Sequence, residues 1–441
     1  MDPMRLQTTL WNRGYTLLTG KTLTAALACF SRSFTRFALK LIMAKAMVMF
    51  AMLGMARYLD TADFGRLAMV LAIGNYWYLP FFSCWGLAYV RFASRETDVD
   101  ISRELLAAAL ICAALALTFL LPIQILFRQE ISEFLNVSAR VWLYGCIFGI
   151  LMGIYYFSKN IFQASEEWNL YTVSELIFSI CFLVFLLLIY KTKVIDKFFI
   201  SVVVVGVAHI LGSMIALFRI SSNLKKPHMD QLKDIGIYGI GLWISFSISL
   251  LGMQMDKLLL NHYADIDTVG RYQAYYMSTY GIVSGFSIIL NNYLLPAYGK
   301  YGEKTIQQVL QRVLLFLTLP LFAGCLVLGR SAFHLLGGSF GFIWSDLAWA
   351  SVFSVAAFWL QTEVFFSMTL GKKQLVLNSL AYAVFVGIQL LTMPTLIRVH
   401  GVAGAFQGMT AATLAALLIV FSTVTVAVKR GGSGIHDNQS R

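Results

Sequence analysis

The chain has 441 residues, of which 59% are hydrophobic and only 13% charged, with a mean hydropathy of +0.72. A soluble domain carries about 25% charged residues, so soluble enzymes and soluble binding modules are excluded and the composition is that of a polytopic membrane protein. The formal charge of +12 is not a nucleic-acid footprint, because most of the Lys and Arg residues fall in loops on one side of the apolar runs.

Residues 1–31 form a polar, basic lead with Trp11 and Tyr15, expected to lie along the cytoplasmic face or to be unstructured. Thr22–Phe30 has too short an apolar core, and no convincing small-residue cleavage site, for a signal peptide. Twelve apolar runs follow, near 36–56, 66–90, 104–126, 140–163, 169–190, 198–218, 235–260, 273–297, 312–330, 346–370, 375–396 and 402–428. A bilayer core about 30 Å thick needs roughly 20 such residues per helix, because every backbone amide must be satisfied inside the segment. The expected fold is an all-α polytopic membrane protein with twelve transmembrane helices.

The first run carries Lys40 and Lys45. An ionisable side chain at a helix centre costs about 2.5–3.5 kcal/mol on insertion scales, so it must line water, find a partner or bind a ligand. Lys45 sits about halfway along the run and is either a ligand-binding cation or the partner of a buried carboxylate such as Glu175 or Glu363. Lys40, and Lys159 in the fourth run, lie nearer the inner ends, where snorkelling to the interface is the simpler reading. Arg57 closes the first run, and Tyr58–Arg66 (Y-L-D-T-A-D-F-G-R) joins it to the second. Asp60 and Asp63 precede the Phe-Gly-Arg helix start there, which N-capping explains. Pro80 and Pro122 can bend or end their helices. Glu175 in the fifth run is a second-rank candidate for a coupling carboxylate, and His209 in the sixth is expected to be a hydrogen-bonded core residue.

Arg219–Asp234 is the most polar internal stretch and the natural linker between two lobes. Asp256, about one turn from the outer end of the seventh run, is either a proton or sodium site or a carboxylate paired across the lobes, with Lys257 on a different helical face. Tyr263–Arg271 (Y-A-D-I-D-T-V-G-R) then repeats the first turn at an offset of 205 residues, with Tyr, Asp, Gly and Arg in the same places. Ala297–Tyr301 likewise echoes Ala88–Phe92. Such repetition is a fold signal: two similar lobes, 32–220 and 235–430, joined by 221–234 and followed by a cytoplasmic tail, 431–441. Glu363 in the tenth run lies deep enough for a coupling carboxylate. Tyr76, Trp77, Tyr78, Tyr155, Tyr156, Tyr272, Tyr275, Tyr276 and Tyr280 offer sugar-stacking surfaces or interfacial belts.

Assigning alternate connections to opposite sides puts twenty of the 34 Lys and Arg residues on the side of the N-terminus and ten on the other. The positive-inside rule then places both termini in the cytoplasm. The six cysteines show no metal-type spacing and read as small core residues; no metal or cofactor is implied.

Two stretches carry a resemblance. Ala44-Lys-Ala-Met-Val-Met-Phe-Ala-Met-Leu-Gly-Met-Ala-Arg57, the Asp-rich turn and Phe64-Gly65, with Trp85-Gly-Leu-Ala-Tyr-Val-Arg-Phe92, resemble the opening of the O-antigen and polysaccharide repeat-unit flippases (Wzx-type) of the multidrug/oligosaccharidyl-lipid/polysaccharide (MOP) exporter superfamily. Met255-Asp-Lys-Leu-Leu-Leu260, Val269-Gly270-Arg271-Tyr272 and Leu295-Pro-Ala-Tyr298 resemble the same family's second half.

The resemblance implies two six-helix bundles, arranged in parallel as an even number of spans per half requires, around a cavity open alternately to either side. It implies a non-enzymatic flippase of undecaprenyl-diphosphate-linked oligosaccharide in the bacterial inner membrane, working with a polysaccharide polymerase and chain-length regulator. Lys45, Lys40, Lys159 and Arg57 would meet the substrate, and Glu363, Asp256 or Glu175 would carry a coupling ion. Two alternatives stand beside it: a multidrug or cation antiporter of the same superfamily, whose cavity should be acidic, and a membrane glycosyltransferase or polymerase using Asp60 and Asp63.

Overall fold

The computed structural model describes residues 25–94, 96, 98–191, 196–221, 224–301, 303–370 and 372–431. Most of the predicted lead (1–24) and of the predicted tail (432–441) lies outside the described residues. Within them every regular element is a helix. The first lobe comprises α1 (Ala25–Tyr58), α2 (Thr61–Tyr78), α3 (Cys84–Ala93), α4 (Val99–Leu126), the short α5 (Arg128–Phe134), α6 (Ala139–Ala164), α7 (Trp168–Lys191) and α8 (Lys197–Ser221). A π-helical turn, Leu79–Ser83, joins α2 to α3 within one span; it contains Pro80, which has no N–H to give to the regular ladder. The second lobe comprises α9 (Met229–Tyr263), α10 (Ile266–Tyr301), α11 (Glu303–Leu336), α12 (Trp344–Thr369) and α13 (Lys372–Gly431).

Ten segments among the described residues are long and apolar enough to cross a membrane. One of them, Val376–Val428, is 53 residues long and folds back at Gly401, whose φ of 56° is a left-handed value that favours glycine. Gln374 reaches Thr423 at 2.8 Å and Gln389 reaches Met409 at 2.7 Å, so the two arms lie antiparallel. With these arms counted separately and the 36-residue α10 added, the predicted twelve spans are present. Their outward faces are apolar, as at Phe119, Leu319 and Leu391, which is the surface a bilayer requires.

Several helices extend past the expected apolar runs, as α10 and α11 do at both ends, and two starts change the lead and the linker. Helix α1 starts at Ala25, inside the predicted lead, because Ala25-Ala-Leu-Ala-Cys-Phe30 continues the run with good helix formers. Helix α9 starts at Met229 rather than near 235, shortening the linker. The His228 N–H donates to Gln231 Oε1 at 2.9 Å, Asp230 lies in the first turn, and Gln231 Nε2 donates to Glu104 of α4 at 2.8 Å.

The sequence repeat is a structural repeat. Helices α6 and α12 are both 26 residues long, starting at Ala139 and Trp344. At the two turns Asp60 Oδ1 accepts the Asp63 N–H and Asp265 Oδ1 accepts the Thr268 N–H, each at 2.7 Å, so both copies cap the helix that follows.

At this repeat end the lobes meet through α2 and α10. Asn261 Nδ2 donates to the Asn136 carbonyl at 2.6 Å, and Asn136 Nδ2 to the Asn261 carbonyl at 3.3 Å. On the matching side Thr61 Oγ1 donates to the Ser339 carbonyl at 3.3 Å, and Phe64 meets Phe340 edge to face at 5.6 Å. Each turn is thus held by a loop of the opposite lobe. Further along the bundle α9 packs on α3 and α4, with Arg91 Nη1 donating to the Tyr238 hydroxyl at 2.8 Å.

Candidate functional site: a central cavity between the lobes

Below the repeat end the helices part around a cavity of about 530 Å³, lined from both lobes. Helix α1 contributes Lys45, Val48, Met49 and Met52; α2 contributes Asn75 and Tyr78; α9 contributes Ser249 and Gln254; α10 contributes Gln273, Tyr276, Tyr280, Ser284 and Ser287; α12 and α13 contribute Gln361 and Tyr382. Amides, hydroxyls and tyrosine rings are mixed along this wall. Among the described lining residues the one charged side chain is Lys45.

Lys45 is held from behind. Its Nζ donates to Glu175 Oε2 at 3.1 Å and Oε1 at 3.3 Å, and Lys159 Nζ donates to the same carboxylate. Glu175, from α7, is fully buried. Lys159 is buried under the faces of Tyr155, Tyr156 and Tyr171, with Nζ 4.6–4.9 Å from each ring centroid. The snorkelling expected of Lys159 is therefore corrected: a carboxylate and three ring faces lie within reach, so the ammonium turns inward. Elsewhere along α6, Gly149 and Gly153 let α2 and Phe82 pack closely against the helix. His209 sits beside the cluster among Phe148, Tyr155 and Phe178, with Nδ1 2.7 Å from the Val205 carbonyl, as a core histidine.

The second lobe holds a separate network. Asp256, fully buried, accepts hydrogen bonds from the Tyr272 hydroxyl and from the Lys257 backbone N–H. Lys257 Nζ lies 3.4 Å from Asp256 Oδ1, donates to Gln254 Oε1 at 3.1 Å, and sits 4.4 Å above the Tyr276 ring. Two expectations are corrected: Asp256 is satisfied inside its own lobe rather than across the lobes, and Lys257 reaches it although consecutive residues diverge on a helix. Four methylenes of stem suffice to fold the ammonium back.

Glu363 of α12 is fully buried and has no hydrogen-bond partner for either oxygen among the described residues. The Gln311 side chain of α11 is its nearest polar neighbour, close enough to act on the carboxylate as a hydrogen-bonding group. Lys40 donates to Asn169 Oδ1 at 3.1 Å in an exposed position, and Arg57 donates to the Leu335 carbonyl at 3.4 Å in the seam of the repeat end. Of the four substrate-binding candidates only Lys45 lines the cavity. Sequence reasoning missed Asn75, Gln254, Gln273, Gln361 and Tyr382, neutral residues that no motif marks; aromatic density was the available signal, and Tyr78, Tyr276 and Tyr280 do line the cavity.

A family model described as polysaccharide biosynthesis protein matches residues 13–301, well over half of the chain. The chain belongs to this family. No curated protein sequence matches it. Among solved structures, this polysaccharide biosynthesis protein is similar to an inward-facing multidrug resistance MATE family transporter of the MOP superfamily, at 11% identity and a TM-score of 0.70 over 90% of this chain and 99% of that one. An outward-facing MATE transporter matches with 14% identity and a TM-score of 0.63, covering 96% and 99%. A MOP superfamily transporter from Pyrococcus furiosus, described as having a binding pocket of reverse polarity, matches equally well, with 14% identity over 94% and 98%. The fold is that of the solved MOP transporters, and the protein is a multi-pass membrane protein of the polysaccharide biosynthesis family.

Proposed function

We propose that the protein flips an undecaprenyl-diphosphate-linked oligosaccharide repeat unit, of O-antigen, capsule or exopolysaccharide type, across the bacterial inner membrane by alternating access. The observation that carries this reading is the polarity of the cavity. Its one charged lining residue is a lysine, and no carboxylate stands among the described lining residues. An anionic headgroup would meet Lys45, while amides, hydroxyls and the Tyr276 and Tyr280 faces would meet sugars, and the prenyl tail would stay in the lipid.

A drug or cation antiporter of the same superfamily would need acidic lining in that place. The transferase reading loses its acids, because Asp60 caps α2 and Asp63 pairs with Arg66 at 2.5 Å. In this proposal both termini lie in the cytoplasm, the repeat end faces outward, and the exported unit passes to a polymerase and its chain-length regulator. Coupling is assigned to Glu363: a fully buried carboxylate with no cation paired to it among the described residues calls for a proton or a cation beside it. Asp256 and Glu175 are occupied by buried lysines.

The test is complementation of a deletion strain with wild type or Lys45→Ala, reading surface polysaccharide and the leaflet in which the lipid-linked unit resides. Loss of polymer with intact units held on the inner leaflet supports the reading. Single units accumulating on the outer leaflet would show a defect after translocation and overturn it.

A further inference from the structure

The cation that faces the cavity is already engaged. Lys45 and Lys159 share one carboxylate, so the cluster carries two positive charges against one negative. The two lysines are not equivalent. The Lys45 side chain is 26% exposed and lines the cavity at 3.1 Å from Glu175; that of Lys159 is 5% exposed, closed in by three tyrosine rings. Only Lys45 is free to swing.

We propose that Glu175 is a built-in counter-anion that holds Lys45 until an anionic headgroup enters the cavity and takes the lysine over, with Lys159 neutralising Glu175 throughout the exchange. This deepens, and rests on, the reading of Lys45 as the headgroup cation. It also changes the role of Lys159 from a phosphate contact to a positioning residue.

The argument is one of compensation. Breaking a lone buried ion pair strands a charge in low dielectric and is strongly unfavourable. Here the second lysine remains on the carboxylate when the first one leaves, so the departure of Lys45 strands nothing. The neighbouring hydroxyls do not compete for the carboxylate, since Ser174 donates to the Gly212 carbonyl at 2.6 Å and Ser179 to the backbone carbonyl of Glu175 at 2.6 Å, and the two ammoniums hold it. A diphosphate offers more negative charge and more acceptor oxygens than a carboxylate, so it wins Lys45 on entry. On exit Glu175 recaptures the lysine, and the headgroup is not trapped. The counter-anion therefore lowers affinity and speeds release, which a transporter needs and a storage site does not.

The experiment is binding of farnesyl diphosphate to the purified full-length protein in detergent, with its dissociation rate, for four proteins. These are wild type, Lys45→Ala, Glu175→Gln/Lys159→Gln, and the last combined with Lys45→Ala. The paired glutamines remove both charges together, so no buried charge is left alone. The double variant is expected to bind roughly tenfold tighter and to release more slowly, and Lys45→Ala to abolish that gain. A folding defect does not tighten binding, so the sign separates the proposal from a merely structural role. Glu175→Asp, which keeps a carboxylate beside Lys159 while loosening its grip on Lys45, should shift affinity in the same direction by less, and it serves if the double variant does not fold. Unchanged or weaker binding in both variants would overturn the proposal while leaving Lys45 as the headgroup cation. Wild-type binding that Lys45→Ala does not weaken would overturn the headgroup reading itself.

Discussion

Gly65 and Gly270, the glycines of the two copies of the repeated turn, face each other across the lobe interface. A Cβ on Gly65 would overlap the Ile266 carbonyl, and one on Gly270 would overlap the Thr61 carbonyl. Backbone cannot step aside as a flexible side chain can, so a methyl group at either position forces the two helix starts apart. Gly65→Val or Gly270→Val should therefore weaken closure at the repeat end and reduce transport by at least about tenfold. The check is a disulfide between Asn136→Cys and Asn261→Cys in a background without other cysteines. It should form readily with Gly65 present and poorly with Gly65→Val; equal cross-linking in both would contradict a seam built on the glycines.

Two buried carboxylates of the second lobe should answer oppositely to neutralisation. Asp256 is satisfied by Tyr272 and Lys257, so Asp256→Asn leaves a buried ammonium without its carboxylate. Breaking such a pair costs about 3–5 kcal/mol, and a markedly lower Tm is expected. Glu363 has no paired cation to lose among the described residues, and a glutamine can keep the contact with Gln311, so Glu363→Gln should leave Tm unchanged or higher while transport ceases to respond to an imposed ion or proton gradient. Thermal unfolding of the two variants side by side, with gradient-driven uptake, checks both statements. A destabilised Glu363→Gln protein would show that the carboxylate is structural.

The rings of the cavity wall should act through their faces. Tyr276 and Tyr280 lie 4.7 Å apart by centroid and both line the cavity, and Tyr280 accepts a hydrogen bond from Gln361. An aromatic contact is worth about 0.5–1.5 kcal/mol, so Tyr276→Leu should weaken binding of a prenyl-diphosphate-linked sugar by a few-fold to roughly tenfold. Tyr276→Phe should keep most of it. A titration of both variants decides the matter, and equal losses in the two would assign the role to the hydroxyl instead.

The features legible in the sequence were those written by the bilayer and by repetition. Twelve spans follow from apolar length, and the Tyr58–Arg66 and Tyr263–Arg271 match disclosed two lobes whose helices α6 and α12 have the same length. The pairing of Lys45 with Glu175 was one of two open choices, because the residues lie 130 positions apart and no periodicity relates them. Helix boundaries erred where propensity continued a span, as at Ala25 and Met229. The inward turn of Lys159 was missed because snorkelling rules consider distance to water and not the three tyrosine faces that packing brings together. The neutral half of the cavity, Gln254, Gln273 and Gln361, has no sequence signature, since an amide toward a substrate and an amide toward a neighbouring helix read alike.

The most direct measurement is translocation in vesicles holding the purified protein and a fluorescent prenyl-diphosphate-linked sugar, with the outward pool quenched by an impermeant reductant. If the cavity carries an anionic lipid-linked glycan past Lys45, wild type should expose the inner pool far faster than protein-free vesicles, and Lys45→Ala should slow this by at least about tenfold. Exposure no faster than in protein-free vesicles, together with gradient-driven accumulation of a cationic amphiphile by the same preparation, would contradict it.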